Sequence, residues 1–476
     1  MIEGVGITEN KVEKSIIRLI KKHKKIGIGI IISISTLFVI YFGMVIYFMN
    51  HFYFGSALNS VNVSGKSVED VNEQMASELQ TYKLNIKERD GKNEQIRADE
   101  VGLKYNSDGQ FKDFKDRQNP YKWISAVFNS EASKMIEGVN YDTDLLKKRV
   151  DKLSCFDSDN IIEPKNPSFK YTDNGYVIIR EVDGNKVNKD ILYDHVSEAI
   201  LKEEATIYLD SINCYVKPQY TISSQKIIDT KNILNKYVFS KITYTFGVYK
   251  ELLDGSKINK WLTVDANIKV IFDEKEVENY IDELSNNYNT IGKRRNFVSS
   301  SGKTINIGGG DYGWSINRNK ETQALIKAIK EGETISKEPE YIQTALSHDL
   351  NDMGNTFVEI DLTKQYLWFY KNGSLIAQGD IVTGNLIGNN TTPGGIYKLK
   401  YKVKNTVLRG PGYASPVSFW MPFNGGIGIH DASWRSVFGG EIYKTGGSHG
   451  CINSPYYLAK AVFDNIEPGI PVVCYN

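Results

Sequence analysis

Cysteine is scarce in this chain, with four residues among 476. So few cysteines exclude a dense disulfide framework, and none belongs to a paired Cys-x-x-Cys motif, so no zinc or other metal is expected. Cys155 and Cys214 leave two interpretations open: a disulfide in an oxidising compartment, or two ordinary buried thiols, which we favour. Histidine is nearly as rare, with six residues.

A charge excess of one sign is absent as well. The 58 Lys and Arg residues face 57 Asp and Glu residues, which gives a formal net charge of +1. No overall field therefore attracts an acidic polymer, and nucleic acid is excluded as an expected partner. The length exceeds one ordinary domain and, at roughly 150 residues per domain, suggests about three.

A second long apolar run is also absent, because only residues 26–49 form an uncharged stretch of membrane-spanning length. At ~1.5 Å rise per residue, this run crosses a ~30 Å hydrocarbon core. No basic residue follows it before Lys66, whereas those that precede it are Lys11, Lys14, Arg18, Lys21, Lys22, Lys24 and Lys25. This asymmetry predicts a cytoplasmic basic tail at 1–25, a single-pass transmembrane helix and an extracytoplasmic remainder. A cleaved signal peptide is the alternative, although its apolar region is usually only ~7–15 residues long.

The middle of the chain repeats one order of elements, helix–strand–strand–helix. Apolar residues at helical spacing predict the first helix of each copy, at 141–153 and 272–284. Alternating apolar residues around a glycine turn follow each helix, and a second helix with an Ala-Ile pair comes next. The sequence therefore predicts two α+β repeat domains, at 50–220 and 221–350.

A further helix and a hairpin precede this unit in each copy, at 68–105 and 226–264. We place the turns of these hairpins at Asp90-Gly91 and Asp254-Gly255, since Asp-Gly is typical of tight turns. The first copy also carries an insertion at 106–140.

The pattern changes after Thr356 to short strands with alternating apolar residues. The predicted strands lie at 357–362, 365–370, 375–382 and 470–475. We therefore expect a mainly β domain at 351–476, which makes the whole an α+β multidomain chain.

Two histidines and a cysteine cluster in this last domain. His430 lies 21 residues before Cys451, and His449 lies two residues before it. A free thiol is mostly protonated near neutral pH, so a nucleophilic cysteine needs an imidazole or another positive neighbour. Gly447 and Gly450 permit a tight turn and close approach of a substrate, and nearby backbone amides can face an oxyanion.

A structural role is the alternative for each residue of this cluster. A cysteine beside glycine and a histidine on a strand are more often structural than catalytic. We give that interpretation to Cys474, in the apolar final strand, and to the histidines outside the cluster: His23, His51, His195 and His348.

A purely structural role is harder to assign to the complete motif. Gly428-Ile429-His430 is followed by Ser-His-Gly-Cys-Ile-Asn at 448–453, with Thr-Pro-Gly-Gly upstream at 392–395. This pattern resembles the L,D-transpeptidase (YkuD-type) family over residues 357–475. The resemblance implies that Cys451 is the acylated nucleophile and His430 its base, without any cofactor.

The same resemblance assigns roles to the neighbours of the nucleophile. It implies that Ser448 and His449 shape the site, and that the amides of Gly450 and Cys451 bind the oxyanion. Gly447 is expected among the residues that contact substrate.

Two positions depart from the family pattern, and both are expected to bear on substrate contacts more than on reaction type. Asp431 stands where a small residue commonly follows the histidine, and its carboxylate would add a field of its own. Asn453, expected to hold the loop or the substrate, stands where many relatives carry arginine.

The two repeats resemble the peptidoglycan-binding domain often found next to this catalytic domain. Arg295-Asn296-Phe297 and the stretch that contains Tyr312 and Trp314 carry the likeness. Peptidoglycan binding is one interpretation. The other is a pair of spacers that hold the catalytic domain away from the membrane, with both aromatics in a core.

The expected function is that of a membrane-anchored L,D-transpeptidase at the cell wall. By resemblance, Cys451 attacks the bond before the terminal D-Ala of a tetrapeptide stem, and a neighbouring stem resolves the thioester to give a 3→3 cross-link. Peptidoglycan stem peptides are then donor and acceptor, and carbapenem-type inhibitors are expected to acylate Cys451. Two alternatives stay open: an L,D-carboxypeptidase with water as acceptor, or a non-catalytic wall-binding protein with a structural Cys451.

Overall fold

A computed structural model of the chain describes residues 9–58, 61–105, 109–129, 132–133, 138–349 and 351–476. The chain forms two compact units. The first comprises Met1–Asn166 and Glu181–Tyr220, and the second comprises Pro167–Arg180 and Thr221–Asn476.

The described residues form both helices and strands. The helices are α1 (Glu9–Asn50), α2 (Val68–Gln80), α3 (Gln110–Arg117), α4 (Trp123–Phe128), α5 (Thr143–Val150), α6 (Lys189–Leu201), α7 (Gln225–Val238), α8 (Gly255–Ile258), α9 (Glu274–Tyr288), α10 (Arg318–Glu331), α11 (Ile442–Gly446) and α12 (Tyr456–Asn465). Strands before the C-terminal domain are β1 (Ala57–Leu58), β2 (Val61–Asn62), β3 (Lys83–Lys87), β4 (Asn93–Arg97), β5 (Lys104–Tyr105), β6 (Ala132–Ser133), β7 (Val139–Asn140), β8 (Ser168–Thr172), β9 (Gly175–Ile179), β10 (Thr206–Tyr208), β11 (Lys241–Phe246), β12 (Tyr249–Leu253), β13 (Leu262–Val264), β14 (Val270–Phe272), β15 (Arg295–Val298), β16 (Thr304–Ile307), β17 (Ser315–Ile316), β18 (Thr334–Lys337) and β19 (Tyr341–Gln343). Strands of the C-terminal domain are β20 (Phe357–Asp361), β21 (Tyr366–Lys371), β22 (Ser374–Asp380), β23 (Gly395–Lys398), β24 (Val403–Gly410), β25 (Tyr413–Asn424), β26 (Ile427–Asp431), β27 (Ile452–Ser454) and β28 (Pro471–Tyr475).

The first unit begins with α1, whose segment Glu13–Asn50 is long and apolar enough to cross a membrane. Beyond it, β3 and β4 pair antiparallel and β10 joins β3 in parallel. Cys155 and Cys214 are free thiols buried in the core of this unit. Burial raises the pKa of Cys155 to about 12 and that of Cys214 to about 11, so both thiols stay protonated.

The hairpin of each repeat packs against the next part of the chain. Hairpin β8–β9, within the predicted first repeat, belongs to the second unit. There the amide of Tyr176 donates to Asn235 Oδ1 on α7 at 2.6 Å, and the Tyr176 ring joins the core around Leu234. Hairpin β15–β16, within the predicted second repeat, packs through Phe297 against Tyr475 of the last strand. The domain boundaries given above stay predictions.

One predicted turn is wrong. Hairpin β11–β12 turns at Gly247, which has a φ of +62°. Asp254 is instead the N-cap residue of α8, where its Oδ1 accepts a hydrogen bond from the amide of Ser256. Aspartate is favoured both in turns and at helix N-caps, and the Asp-Gly pair alone does not separate the two.

The junction between the second repeat and the C-terminal domain is buried and polar at its centre. Nε of Arg295 lies 2.7 Å from Oδ1 of Asp352, and both side chains are less than one-tenth exposed. The Tyr312 hydroxyl donates to the Asp352 carbonyl, and Trp314 Nε1 donates to Ser347. Tyr312 is therefore a core aromatic and Trp314 is buried beside it in the chain, while the choice between peptidoglycan binding and spacing stays open.

The C-terminal domain consists of two sheets that share a core. The five-stranded sheet has the order β22-β21-β20-β28-β23, and the four-stranded sheet has the order β24-β25-β26-β27. Apolar side chains from both sheets meet α12 in this core, and Cys474 is buried there. The mainly β domain with its final strand is confirmed. Hairpin β24–β25 and helix α12 were not predicted.

Candidate active site

Parallel pairing of two short strands joins the separated parts of the motif. Strand β26 carries His430, and β27 begins directly after Cys451. Ile429 pairs with Ile452, and His430 pairs with Asn453. This register places Cys451 level with Gly428, two residues along the strand from His430, although the two residues are 21 apart in the sequence.

The imidazole of His430 is held by its neighbour in sequence. Nδ1 lies 2.9 Å from the carbonyl oxygen of Asp431. A carbonyl oxygen only accepts hydrogen bonds, so Nδ1 carries a hydrogen and, in the neutral ring, Nε2 keeps a free lone pair. The rings of Trp420 and Trp434 each lie 5.9 Å from the imidazole, centroid to centroid. Burial lowers the pKa of His430 below its usual 6.5, with the Asp431 carbonyl opposing the shift.

The thiol of Cys451 is partly exposed and lies close to two glycines. Its Sγ donates to the Gly426 carbonyl at 3.5 Å. Burial raises its pKa, and the Gly428 amide, which favours the thiolate, opposes that shift. No hydrogen bond joins His430 to Cys451 within the described ranges. The two groups therefore rest as a neutral thiol and a neutral imidazole that is able to take its proton.

The loop before Cys451 is fastened by two hydroxyls. Ser448 Oγ donates to the Cys451 carbonyl at 2.5 Å and accepts from the Gly450 amide at 3.0 Å. Thr392 Oγ1 donates to the Gly450 carbonyl at 2.7 Å and accepts from the Gly384 amide at 3.0 Å. The Gly450 amide is thus engaged by Ser448 in this structure, contrary to the expectation that it faces an oxyanion.

Two further motif residues occupy different surroundings. A Cβ added to Gly447 would lie 2.5 Å from the backbone of Asn385, so this glycine is required by close backbone packing. His449 is exposed, and its ring stacks on Tyr413 of β25 with centroids 4.8 Å apart. Ser448 thus fastens the loop and His449 lies on its exposed side, and the roles given to them in shaping the site stay predictions.

A cavity of about 180 Å³ opens at this site. Its lining combines motif residues with side chains from hairpin β24–β25 and from the loop after β26: Leu408, Tyr413, Ser415, His430, Trp434, Arg435, Gly447, Ser448, His449, Cys451 and Asn453. The thiol, the imidazole and one guanidinium therefore face a shared space large enough for part of a peptide.

Comparison with known families agrees with this arrangement. Residues 355–474 match the family described as "L,D-transpeptidase catalytic domain" (YkuD). Residues 94–208 and 220–336 match the family described as "Putative peptidoglycan binding domain". A comparison with curated proteins gave no match.

Solved structures with significant similarity include L,D-transpeptidases from Enterococcus faecium. A crystal structure of that enzyme with a cysteine replaced by serine is 33% identical over 53% of this chain and 100% of its own, with a TM-score of 0.44. The Ldtfm-avibactam carbamoyl enzyme is 33% identical over 52% of this chain and 99% of its own, with a TM-score of 0.45. The E. faecium catalytic domain acylated by ertapenem is 40% identical over 26% of this chain and 98% of its own, with a TM-score of 0.24. The chain thus covers the full length of a relative with one residue in three identical.

The chain belongs to the L,D-transpeptidase family. It is an enzyme of this class, with a YkuD catalytic domain preceded by two segments that match the peptidoglycan-binding family.

The two departures from the L,D-transpeptidase pattern have different surroundings. Oδ1 of Asp431 accepts from the amides of Ser418 and Phe419, each at 2.8 Å, so this carboxylate fastens β26 to β25 and does not line the cavity. Its charge still favours the protonated form of His430, as a smaller influence than burial. Asn453 is buried and lines the cavity, and its role in holding the loop or the substrate stays a prediction.

Sequence reasoning missed several residues of this L,D-transpeptidase site. Trp434 and Arg435 follow His430 within five residues, so their proximity to the motif was a usable signal. Leu408 and Tyr413 reach the cavity from hairpin β24–β25. Nothing in the sequence marks them, because only the fold brings that hairpin over the site.

Proposed function

We propose that this chain is an L,D-transpeptidase that forms 3→3 peptidoglycan cross-links through a thioester on Cys451. The observation that carries the proposal is the state of the resting pair: a partly exposed thiol and a neutral imidazole, oriented through Nδ1, face one cavity. An oriented neutral base beside a nucleophile is the arrangement that acyl transfer requires.

In the first step, the Cys451 sulfur attacks the carbonyl between the third residue and the terminal D-Ala of a donor stem. Nε2 of His430 takes the thiol proton as the C–S bond forms, and delivers it to the departing D-Ala amine as the tetrahedral intermediate collapses and the C–N bond breaks. The oxyanion of the tetrahedral intermediate is stabilised by the Cys451 amide. The Gly450 amide would join it only if it left Ser448.

In the second step, the side-chain amine of the third residue of a neighbouring stem attacks the thioester. His430 accepts a proton from that amine and returns it to the sulfur as the C–S bond breaks. Thr392 and Ser448 keep the loop fixed through both steps, since they fasten it on either side of Gly450.

We also propose that α1 anchors the enzyme in the membrane with its N-terminus in the cytoplasm. The uncharged run at 26–49 and the lysine-rich stretch before it support this topology. Protease added to intact spheroplasts would then remove the catalytic domain and leave the basic tail protected.

Mass spectrometry of muropeptides after incubation with the full-length enzyme tests the reaction. Disaccharide-tetrapeptide should yield 3→3 dimers together with free D-Ala. Tripeptide and D-Ala without dimers would identify an L,D-carboxypeptidase instead. Unchanged substrate would support the non-catalytic alternative.

A further inference from the structure

One cation that lines the catalytic cavity has no hydrogen-bond or ion-pair partner among the described residues. Arg435 lies in the loop after β26, where its amide donates to the Ala432 carbonyl at 3.0 Å. Its Nε is buried and lacks a hydrogen-bond acceptor in the part of the chain that the structure describes. No carboxylate within those residues lies at ion-pair distance from its guanidinium either.

Arg435 is partly exposed, but its buried Nε carries a cost, because a buried donor needs a partner. Burial lowers the pKa of Arg435, and no neighbouring anion offsets that shift. Its charge also lowers the pKa of His430, so the guanidinium lies within electrostatic reach of the catalytic base. An unpaired guanidinium that lines a cavity and has a buried Nε can be completed by an anionic group that arrives with a ligand.

The cavity and the chemistry of the donor specify which anion fits. Of the side chains that line the cavity in the described residues, that of Arg435 carries the permanent charge. A guanidinium presents a planar pair of donors that matches a carboxylate. In the proposed reaction, the donor carries a free α-carboxylate on the residue that departs, one residue beyond the carbonyl that Cys451 attacks.

We infer that Arg435 binds the free α-carboxylate of the acyl donor and thereby selects stems that end one residue after the scissile bond. The inference rests on the proposed function. It makes Arg435 a specificity-determining residue: an uncharged C-terminus leaves the guanidinium unpaired, and a longer stem moves the carboxylate away from it.

The test compares two donors that differ only in this charge. The full-length enzyme is given disaccharide-tetrapeptide with a free terminal carboxylate, and the same compound with a terminal carboxamide. The kcat/KM for release of the terminal residue is measured for the wild type, Arg435→Gln and Arg435→Lys. Lys364→Gln, which removes one exposed positive charge from the same domain, is the matched control.

The wild type and the Lys364→Gln control should prefer the carboxylate donor by about 10- to 100-fold, the range expected for a charge-assisted pair. Arg435→Gln should lose that preference, because its kcat/KM falls far more with the carboxylate donor than with the carboxamide, and Arg435→Lys should keep part of it. Turnover of the carboxamide donor by Arg435→Gln also reports that the variant is folded.

Equal loss on both donors would overturn the inference, since Arg435 would then act on the fold or on the thiol. Arg435→Gln would also overturn the inference if it kept the donor preference but shifted the pH dependence of Cys451 alkylation. Arg435 would then act by stabilising the Cys451 thiolate. A wild type that consumed neither donor would refute the proposed function itself, and with it this inference.

Discussion

Nδ1 of His430 lies 2.9 Å from the main-chain oxygen of Asp431, the next residue in the chain. The contact needs no particular side chain at position 431, so the imidazole is oriented by the backbone of its own strand. Nε2 is left as the basic nitrogen, and burial keeps the ring neutral.

The pH dependence of acylation should follow from this environment. Protonation of His430 removes the base, and burial lowers its pKa below the usual 6.5. The neutral base therefore persists to lower pH than in a free histidine, and kcat/KM should remain flat down through pH 6.5 and fall only below it. A pH profile of D-Ala release measures this. A half-maximal point at or above pH 6.5, with the fold intact by circular dichroism, would contradict the account.

Asp431→Asn should affect stability more than chemistry. The carboxylate accepts from the amides of Ser418 and Phe419, and an amide side chain at this position retains one acceptor oxygen without the charge. We expect a loss of about 1–3 kcal/mol in the free energy of unfolding. The kcat should stay within about tenfold of the wild type, because the carbonyl that orients His430 remains. A loss of activity above a hundredfold at unchanged stability would instead place this carboxylate in the chemistry.

Thr392→Val should loosen the nucleophile loop. Valine keeps the shape of threonine but leaves the Gly450 carbonyl and the Gly384 amide without their partner. Denaturant unfolding should report a loss of about 1–3 kcal/mol, and kcat should fall as the position of Cys451 becomes less fixed. Thr363→Val, at an exposed turn, is the matched control and should change neither quantity.

Gly447→Ala and Gly446→Ala form a pair that separates packing from substrate contact. The added methyl at Gly447 would meet the backbone of Asn385 at 2.5 Å, whereas at Gly446 the nearest atom lies 3.8 Å away. Gly447→Ala should lower the free energy of unfolding by at least about 1–3 kcal/mol and should also lower activity. The reason is that the backbone of Asn385 cannot move aside as a side chain can. Gly446→Ala should remain active. Equal effects of the two substitutions would contradict the packing role.

Much of this architecture was readable from the sequence because its signals are local. The apolar run of α1, the helical spacing of α5 and α9, and the alternating strands of the C-terminal domain each depend on neighbouring residues. That His430 and Cys451 line one cavity was readable for another reason, since two chemically rare residue types stood in one family motif.

The features that the sequence did not reveal depend on contacts between segments that are distant in the chain. Asp431 was expected to contact substrate, but its carboxylate is used by the amides of β25, which no spacing reveals. Gly447 was expected to contact substrate and does line the cavity, but the close backbone of Asn385 that also requires a glycine there was not readable. The stretch around Arg295 suggested ligand binding, yet its guanidinium pairs with Asp352 in a buried junction.

The central claim is that Cys451 is the acylated nucleophile, and intact-mass spectrometry of the full-length enzyme mixed with tetrapeptide donor tests it most directly. The wild type should gain the mass of the donor less D-Ala, and peptide mapping should place that mass on Cys451 and on none of the buried thiols, Cys155, Cys214 and Cys474. Cys451→Ala should acquire no adduct and form no dimers. An adduct on another residue, or dimers from Cys451→Ala at the wild-type rate, would contradict the account.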